Sequence, residues 1–445
     1  MTSFFHAYDL RGKYPEEIGL EEAEKVGKAY GTFTDAETVL VGRDGREHAE
    51  KVTEAFIKGI KSTGTNVKYA GTAPSPVVYF GMVKNNISSS AVVTASHNPP
   101  EYTGFKFSKE NALAMSREGG MKEIEDIYDS EDFESGSGSK EIIELKKDYI
   151  EFVKEKIGSE IDLDVAVNFG NGVATVLGKE MLEELGCTVK SINDELDGSF
   201  PNHLPAPGEE KAQKQLEDAM TTEDLGIIFD GDGDRAGFIT PENGYIAEDE
   251  ILALFASESL KEQKGRVIAD LRASKLVPEI IENHGGTPST TRVGHTFISE
   301  EIHEDSSVVF AGELSGHFYF PVYGVPWDDG LFAAALMCRI ASETDLESEL
   351  DELPEYPVSP ELRIDCPHRS KKPVINDIKT RYSDHELSTV DGVKIHFEKG
   401  WALVRPSNTE EKMSVRCEAD TQNDVERILE EAESVVKELI EKHSR

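Results

Sequence analysis

The stretch SSAVVTASHNPP, residues 89–100, runs from a β-branched, apolar segment straight into a serine, a histidine, an asparagine and two prolines. The first seven residues read as a strand. Pro99 and Pro100 then deny helix or central-strand structure to the residues around them, so Ser96 and His97 are presented on a stiff loop at a strand's C-terminal end. Upstream, TVLVGRD (38–44) is a second strand-like run, and EKVTEAFIKGIKSTG (50–64) has apolar residues at helical spacing and a closing glycine. NVKYAG (66–71) reads as strand and SPVVYFGMVKNN (75–86) as helix. The alternation is that of an open α/β sheet, in which ligands usually bind beyond the C-terminal ends of the strands.

The same alternation continues along the chain. DSEDFESGSGSKE (129–141) is charged, Ser/Gly-rich and short of anything to bury, and it predicts a linker or mobile loop. A second unit opens with strand, Gly-rich turn, helix and strand over 162–193, and closes with the strand LGIIF (225–229), which leads into DGDGDR. A third comes next, with helix 249–260, strand RVIAD, helix 273–284, strand SSVVFAG and helix DDGLFAAALMCRIAS. Three prolines within ELPEYPVSPE (352–361) predict a hinge. The last segment ends in a helix whose apolar stripe runs Val425, Ile428, Leu429, Ala432, Val435, Val436, Leu439 and Ile440, suited to packing on a small sheet. The expected domains are 1–141, 142–241, 242–353 and 360–445.

At 445 residues the chain is long enough for several cores, and a hydrophobic content of 38% suffices to pack them. No apolar run reaches the length of a membrane span and the first residues lack a signal-peptide pattern, so a cytoplasmic protein is expected. Cys187, Cys338, Cys366 and Cys417 lie far apart with no CxxC pair, against both a zinc site and a disulfide framework. The formal charge of −39 opposes binding to nucleic acid or anionic lipid. Salt would screen such self-repulsion, which points to a halophilic source.

Four short stretches carry chemistry. DGDGDR (230–235) offers Asp230, Asp232 and Asp234 at alternate positions with flexible glycines between, an oxygen-only set suited to Mg²⁺ or Ca²⁺. An EF-hand is excluded, because Arg235 stands where its sixth-position glycine belongs and Pro241 where its twelfth-position glutamate belongs. Three carboxylates leave room for another anion on the metal, and a phosphate on Ser96 would serve. GELSGH (312–317) presents Glu313, Ser315 and His317, able to hold sugar hydroxyls and accept a proton. RPSNTE (405–410) sets the Arg405 fork beside Ser407, Asn408 and Thr409, a cradle for a phosphate dianion.

These four stretches, in this order, with AYDLRG, VGRDGR, GNGVA, LDGSFPNHLPAPG, RVGHT and WDDG, resemble the α-D-phosphohexomutases, and most closely their phosphomannomutase/phosphoglucomutase branch, over essentially the whole chain. The resemblance implies three consecutive related mixed α/β domains and a smaller C-terminal α+β domain around a central cleft. It implies that phospho-Ser96, with Mg²⁺ on Asp230, Asp232 and Asp234, passes its phosphoryl group to a mannose or glucose 1- or 6-phosphate. A hexose 1,6-bisphosphate, which also serves as activator, turns around and returns its other phosphate. Lys106 and His317 match the family's acid/base groups and Arg11 its active-site arginine; Arg11 and Arg235 could supply charge neutralisation beside the metal, and His97, next to Ser96 in sequence, is a further catalytic candidate. Glu313 and Ser315 match the contacts to the sugar hydroxyls at C3 and C4. Arg405, Ser407, Asn408, Thr409 and Arg416 match the distal phosphate site, and Arg272 and His295 further substrate contacts. Arg272 stands where many relatives carry lysine, Asn168 where aspartate is frequent, and Glu411 where proline is usual. The implied partners are small phosphosugars, with a monomeric or homodimeric chain. Phosphoglucosamine mutase is the alternative within the family, and a non-catalytic phosphosugar-binding protein the alternative outside it.

Overall fold

The computed structural model describes residues 4–6, 9–407 and 411–444. They form two compact units, one of residues 1–251 and 294–351, the other of residues 252–293 and 352–445.

In the first unit, the strand opened by Ser89 is Ser89–Val93, buried at every position. It pairs in parallel with Thr38–Arg43, which pairs in parallel with Asn66–Thr72. On its other side it meets Tyr102–Lys109 antiparallel, and that strand pairs with Leu10–Lys13. A strand buried on both faces has no polar side to present, which accounts for its unbroken run of small and β-branched residues. Helices Leu20–Phe33 and Ala49–Ser62 supply Val26, Tyr30, Val52, Phe56 and Ile60 to the core against Phe105 and Phe107.

The tract expected to be a free linker is instead tied down. Gly136 and Gly138 donate their backbone N–H groups to the Ser62 and Lys61 carbonyls at 2.8 Å, and the chain continues into the edge strand Lys140–Ile142, parallel to Asn66–Thr72. Glycine permits this, since a side chain at Gly138 would lie 1.9 Å from the Thr65 carbonyl oxygen. Backbone hydrogen bonds replace the apolar burial that the composition lacks.

A second sheet of this unit centres on Leu225–Phe229, parallel to Asp164–Asn168 and antiparallel to Ala236–Thr240, with Thr188–Ile192 and Gly244–Tyr245 at its edges. The connection between its two central strands is residues 230–235. The strands Val308–Gly312, Phe318–Phe320 and Val325–Asp328 pair antiparallel, and helix Gly330–Glu343 comes after them with an unbroken buried run from Gly330 to Cys338.

In the second unit, Arg266–Asp270 pairs in parallel with Thr287–Thr291. Leu362–Asp365, Lys412–Ala419, Gly400–Pro406, Val393–Phe397 and Glu386–Ser388 form an antiparallel sheet in that order. Helix Gln422–Ser444 packs its apolar stripe on one face of that sheet, as its spacing predicts. The proline-rich segment carries no helix, yet its second half is anchored: Ser359 N donates to the Cys417 carbonyl (2.8 Å) and Ala419 N to that of Pro357 (3.1 Å). All four cysteines are free and buried. No helix among the described residues is long and apolar enough to cross a membrane.

Candidate active site

Ser96 stands at φ +47°, in the left-handed region, and is 2% exposed. Its loop is held by Arg46, a fully buried guanidinium that donates to the carbonyls of Ser96 (2.8 Å), Asn98 (2.7 Å), Pro99 (2.6 Å) and Tyr102 (3.2 Å). Asp44 at 3.1 Å compensates its charge. Thr94 Oγ1 accepts from the Ser96 N–H (2.9 Å), and Arg11 donates to Asn98 Oδ1 (2.5 Å) while paired to Asp9 (2.6 Å).

The loop carrying Asp230, Asp232 and Asp234 comes against this one. Gly231 makes the approach possible, because a Cβ there would lie 2.4 Å from the Ser96 carbonyl oxygen. Ser96 Oγ donates to Asp230 Oδ2 (2.9 Å) and accepts from Arg235 Nη2 (2.7 Å). Arg235 Nε also donates to Asp230 Oδ2 (3.0 Å), and Nη2 donates to His97 Nδ1. Burial, reinforced by the Arg235 and Arg11 charges, pushes the His97 imidazole down to about 2, so it stays neutral and able to accept.

Asp230, Asp232 and Asp234 are all fully buried. Lys106 Nζ donates to Asp232 Oδ2 (2.7 Å) and to Asp234 Oδ2, and Ser75 Oγ donates to Asp232 Oδ2 (2.7 Å). Burial alone would raise the Asp232 carboxyl; the Lys106 charge and the hydrogen bonds from Lys106 and Ser75 outweigh it and hold the group well below the usual carboxylate range. Asp230 goes the other way, raised by burial and by the Asp234 charge. Lys106, against its own burial, is held far above the ordinary lysine range by Asp232 and Asp234. Oδ1 of Asp232 and Oδ1 of Asp234 are buried without a hydrogen-bond partner among the described residues. Three dry carboxylates with two oxygens unclaimed fit a hard divalent cation such as Mg²⁺.

The turn at 312–317 faces the aspartate loop, with Ala236 N donating to the Gly316 carbonyl (3.3 Å). Glu313 Oε1 accepts from the Gly294 N–H (2.7 Å), and its Oε2 lies 3.1 Å from both Ser315 Oγ and His317 Nδ1. Burial lowers the affinity of His317 for a proton, but Asp234 and Glu313 more than restore it and the ring titrates above the usual histidine value. His295 stacks on His317 at 5.6 Å between ring centroids; burial and the His317 and Lys106 charges bring it down to about 4.

Ser96, His97, Arg11, Lys106, Arg235, Asp230, Asp232, Asp234, His295, Glu313, Ser315 and His317 thus converge within one unit. Arg272, Arg405, Ser407 and Arg416 belong to the other. Arg272 forms a two-point pair with Asp270 (3.1 and 2.7 Å). Arg405 donates through Nε and Nη2 to Asp391 Oδ2 (2.9 and 2.7 Å). Ser407 N closes on the Lys412 carbonyl (2.9 Å), and Lys371 Nζ donates to the Ser407 carbonyl (2.6 Å). Arg405 is opposite Ser414 and Leu403 opposite Arg416, so strand alternation puts both arginines on one face. Asn408 and Thr409 lie outside the described residues. Arg46, Ser75, Asn98 and Asp328 join the site without having been singled out from the sequence. A signal existed for Arg46, Asn98 and Asp328, within VGRDGR, SSAVVTASHNPP and WDDG, and none for Ser75.

Four family models match in succession: phosphoglucomutase/phosphomannomutase α/β/α domains I, II and III, at residues 2–135, 147–244 and 247–356, and the C-terminal domain at 361–435. The chain is 34% identical over 437 residues to a phosphomannomutase/phosphoglucomutase of Pseudomonas aeruginosa, covering 96% of this chain and 94% of that one. The chain belongs to the phosphoglucomutase/phosphomannomutase family. A phosphomannomutase of Methanocaldococcus jannaschii is 37% identical over 445 residues, 98% of each chain. Among solved structures of the family, a phosphoglucomutase/phosphomannomutase family protein from Burkholderia thailandensis superposes with a TM-score of 0.92 at 29% identity, covering 99% of this chain and 98% of that one. The expected class, three mixed α/β domains and a smaller C-terminal one, and the identification as an α-D-phosphohexomutase and an enzyme hold.

Proposed function

We propose that this family member interconverts hexose 1-phosphate and hexose 6-phosphate, of mannose, glucose or both, with Ser96 as the phosphoryl carrier and a hexose 1,6-bisphosphate as intermediate and activator. The observation that carries it is the setting of Ser96 Oγ: buried, fixed by a strained loop, donating to Asp230 and accepting from Arg235. In the first half-reaction the bond from phosphorus to Ser96 Oγ breaks, a bond to a sugar oxygen forms and that sugar hydroxyl loses its proton; in the second a bond from phosphorus to the other sugar oxygen breaks, the bond to Ser96 Oγ re-forms and the freed sugar oxygen regains a proton. Such transfer needs positioning and charge compensation more than covalent help. Arg235 and Arg11 supply fixed positive charge beside Ser96. Asp230, Asp232 and Asp234 would hold Mg²⁺, which when bound neutralises charge on the phosphoryl oxygens. His317, with proton affinity raised by Asp234 and Glu313, and the Lys106 ammonium are the groups that hold and return protons.

Glu313 and Ser315 would take the C3 and C4 hydroxyls, and His295, Arg272, Arg405, Ser407, Asn408, Thr409 and Arg416 the non-reacting phosphate and its sugar. The divisions 1–141, 142–241, 242–353 and 360–445 would each supply one of these loops. A cytoplasmic place is supported by four thiols that stay free. One or two copies per assembly complete the reading. The charge of −39 supports a salt-requiring protein; a melting temperature that does not rise from dilute buffer to concentrated KCl would reject that part.

The test is phosphorus NMR of α-glucose, α-mannose and α-glucosamine 1-phosphates in parallel, in KCl with Mg²⁺ and a trace of glucose 1,6-bisphosphate. Rapid conversion of the first two to 6-phosphates, slow conversion of the third, and loss of both phosphoryl labelling and turnover in Ser96→Ala are expected. Turnover of glucosamine 1-phosphate alone would transfer the chain to the phosphoglucosamine branch. Full activity of Ser96→Ala would end the reading.

A further inference from the structure

The aspartate loop has a second side. We propose that Asp234 Oδ1, His317 Nε2 and Asp328 Oδ2 form a second divalent-cation site, selective for a borderline ion of the Zn²⁺ kind, which shares Asp234 with the Mg²⁺ set and silences the enzyme when filled.

The three donor atoms lie within 4.8 Å of one another. His317 Nε2 is 3.7 Å from Asp234 Oδ1 and 3.9 Å from Asp328 Oδ2. Those separations are too long for hydrogen bonds. They are a few tenths of an ångström wider than the about 3.4 Å that tetrahedral coordination at ordinary zinc–ligand lengths leaves between adjacent donors.

Two further observations point to a ligand. Asp234 divides its oxygens: Oδ2 takes Lys106, while Oδ1, fully buried, has no hydrogen-bond partner among the described residues and faces the imidazole. The imidazole is held from behind, its Nδ1 against Glu313 Oε2 (3.1 Å) and Ser315 Oγ (2.9 Å), which directs Nε2 toward the two carboxylates. A carboxylate behind a histidine is the arrangement that orients metal-binding imidazoles. Asp328 ends the strand Val325–Asp328 opposite Tyr319 and is 4% exposed. One imidazole and two carboxylates suit Zn²⁺, Co²⁺ or Mn²⁺, whereas Mg²⁺ keeps to oxygen.

An ion bonded to Nε2 occupies the lone pair that would receive a substrate proton. This inhibitory half rests on the role proposed for His317; the site itself does not.

The experiment uses the full chain saturated with Mg²⁺. Co²⁺ is added as a spectroscopic probe, then Zn²⁺ by calorimetry, with bound Mg²⁺ counted by equilibrium dialysis. One Co²⁺ or Zn²⁺ per chain, visible absorption typical of low-coordinate Co²⁺, and retained Mg²⁺ are expected. Asp328→Asn should weaken Zn²⁺ at least tenfold and leave Mg²⁺ affinity unchanged. Because Asp328 is buried, His317→Gln is measured as well, for metal binding alone, and should show the same loss. One-for-one displacement of Mg²⁺ by Zn²⁺, or wild-type Zn²⁺ affinity in both variants, overturns the site. Undiminished turnover with Zn²⁺ bound overturns the silencing, and absence of turnover before Zn²⁺ is added counts against the mutase reading instead.

Discussion

Around Ser96 charge is buried and compensated by more buried charge; at Arg405 in the second unit the guanidinium and its aspartate partner are both partly open to solvent. Lys106, Arg235 and Arg46 are 6%, 8% and 2% exposed, and each lies against an aspartate that is itself buried. The Arg405 and Asp391 side chains are 15% and 16% exposed. In the first region the geometry exists before any substrate arrives, and removing one member leaves another buried charge short of a partner. In the second, under the proposed reading, a phosphate would replace the carboxylate of Asp391 on a pair that solvent already reaches. Under that reading the first holds one reacting atom still and the second exchanges its partner.

The largest expected consequence is at Asp232. Asp232→Ala leaves Ser75 without its acceptor and Lys106 with Asp234 alone, and should cost about 1–3 kcal/mol of stability and at least about 100-fold in kcat, read by urea unfolding and by turnover. Wild-type stability in that variant would break the contrast.

Acid should act next. His295 titrates at about 4 in the folded chain, against about 6.5 when unfolded. A depressed histidine contributes its full stability above the unfolded value and loses it as pH falls. Unfolding free energy should therefore decline from pH 6.5 toward 4, by at most about 3 kcal/mol from this residue, and His295→Gln should flatten the profile.

Arg46→Lys keeps the charge but loses the planar fork that reaches four carbonyls. A fall of about 2 kcal/mol in stability should accompany a drop in kcat larger than any change in KM, measured by steady-state kinetics. At the mild end, Asp391→Asn frees Arg405 and should lower the phosphosugar KM about threefold with kcat unmoved. A loss of kcat there would erase the distinction between the two regions.

Legibility in the sequence divides along the same line. Ser96, the three aspartates and the 312–317 turn each come directly after a buried strand, so local pattern locates them. Arg46 is legible only as part of a likeness, because its acceptors come from about fifty residues further on and nothing local shows that a charged residue will be wholly buried. Ser75 and Asp328 matter through Asp232 and Asp234, which are brought to them by tertiary folding. The 129–141 tract departs from the linker its composition predicts because composition reports what a segment can bury and is silent on which backbone N–H groups it can satisfy.

The left-handed φ of Ser96 has a further consequence. Glycine would adopt that conformation without strain, and a buried Ser96→Gly change would also remove a hydroxyl from a dry site. That loss would take a buried partner from Asp230 and from Arg235, so relief of backbone strain and loss of hydrogen bonds oppose each other at this one position. Libraries screened only for heat survival should therefore neither strongly enrich nor purge glycine at position 96, whereas a screen that also demands sugar phosphate turnover should retain the serine.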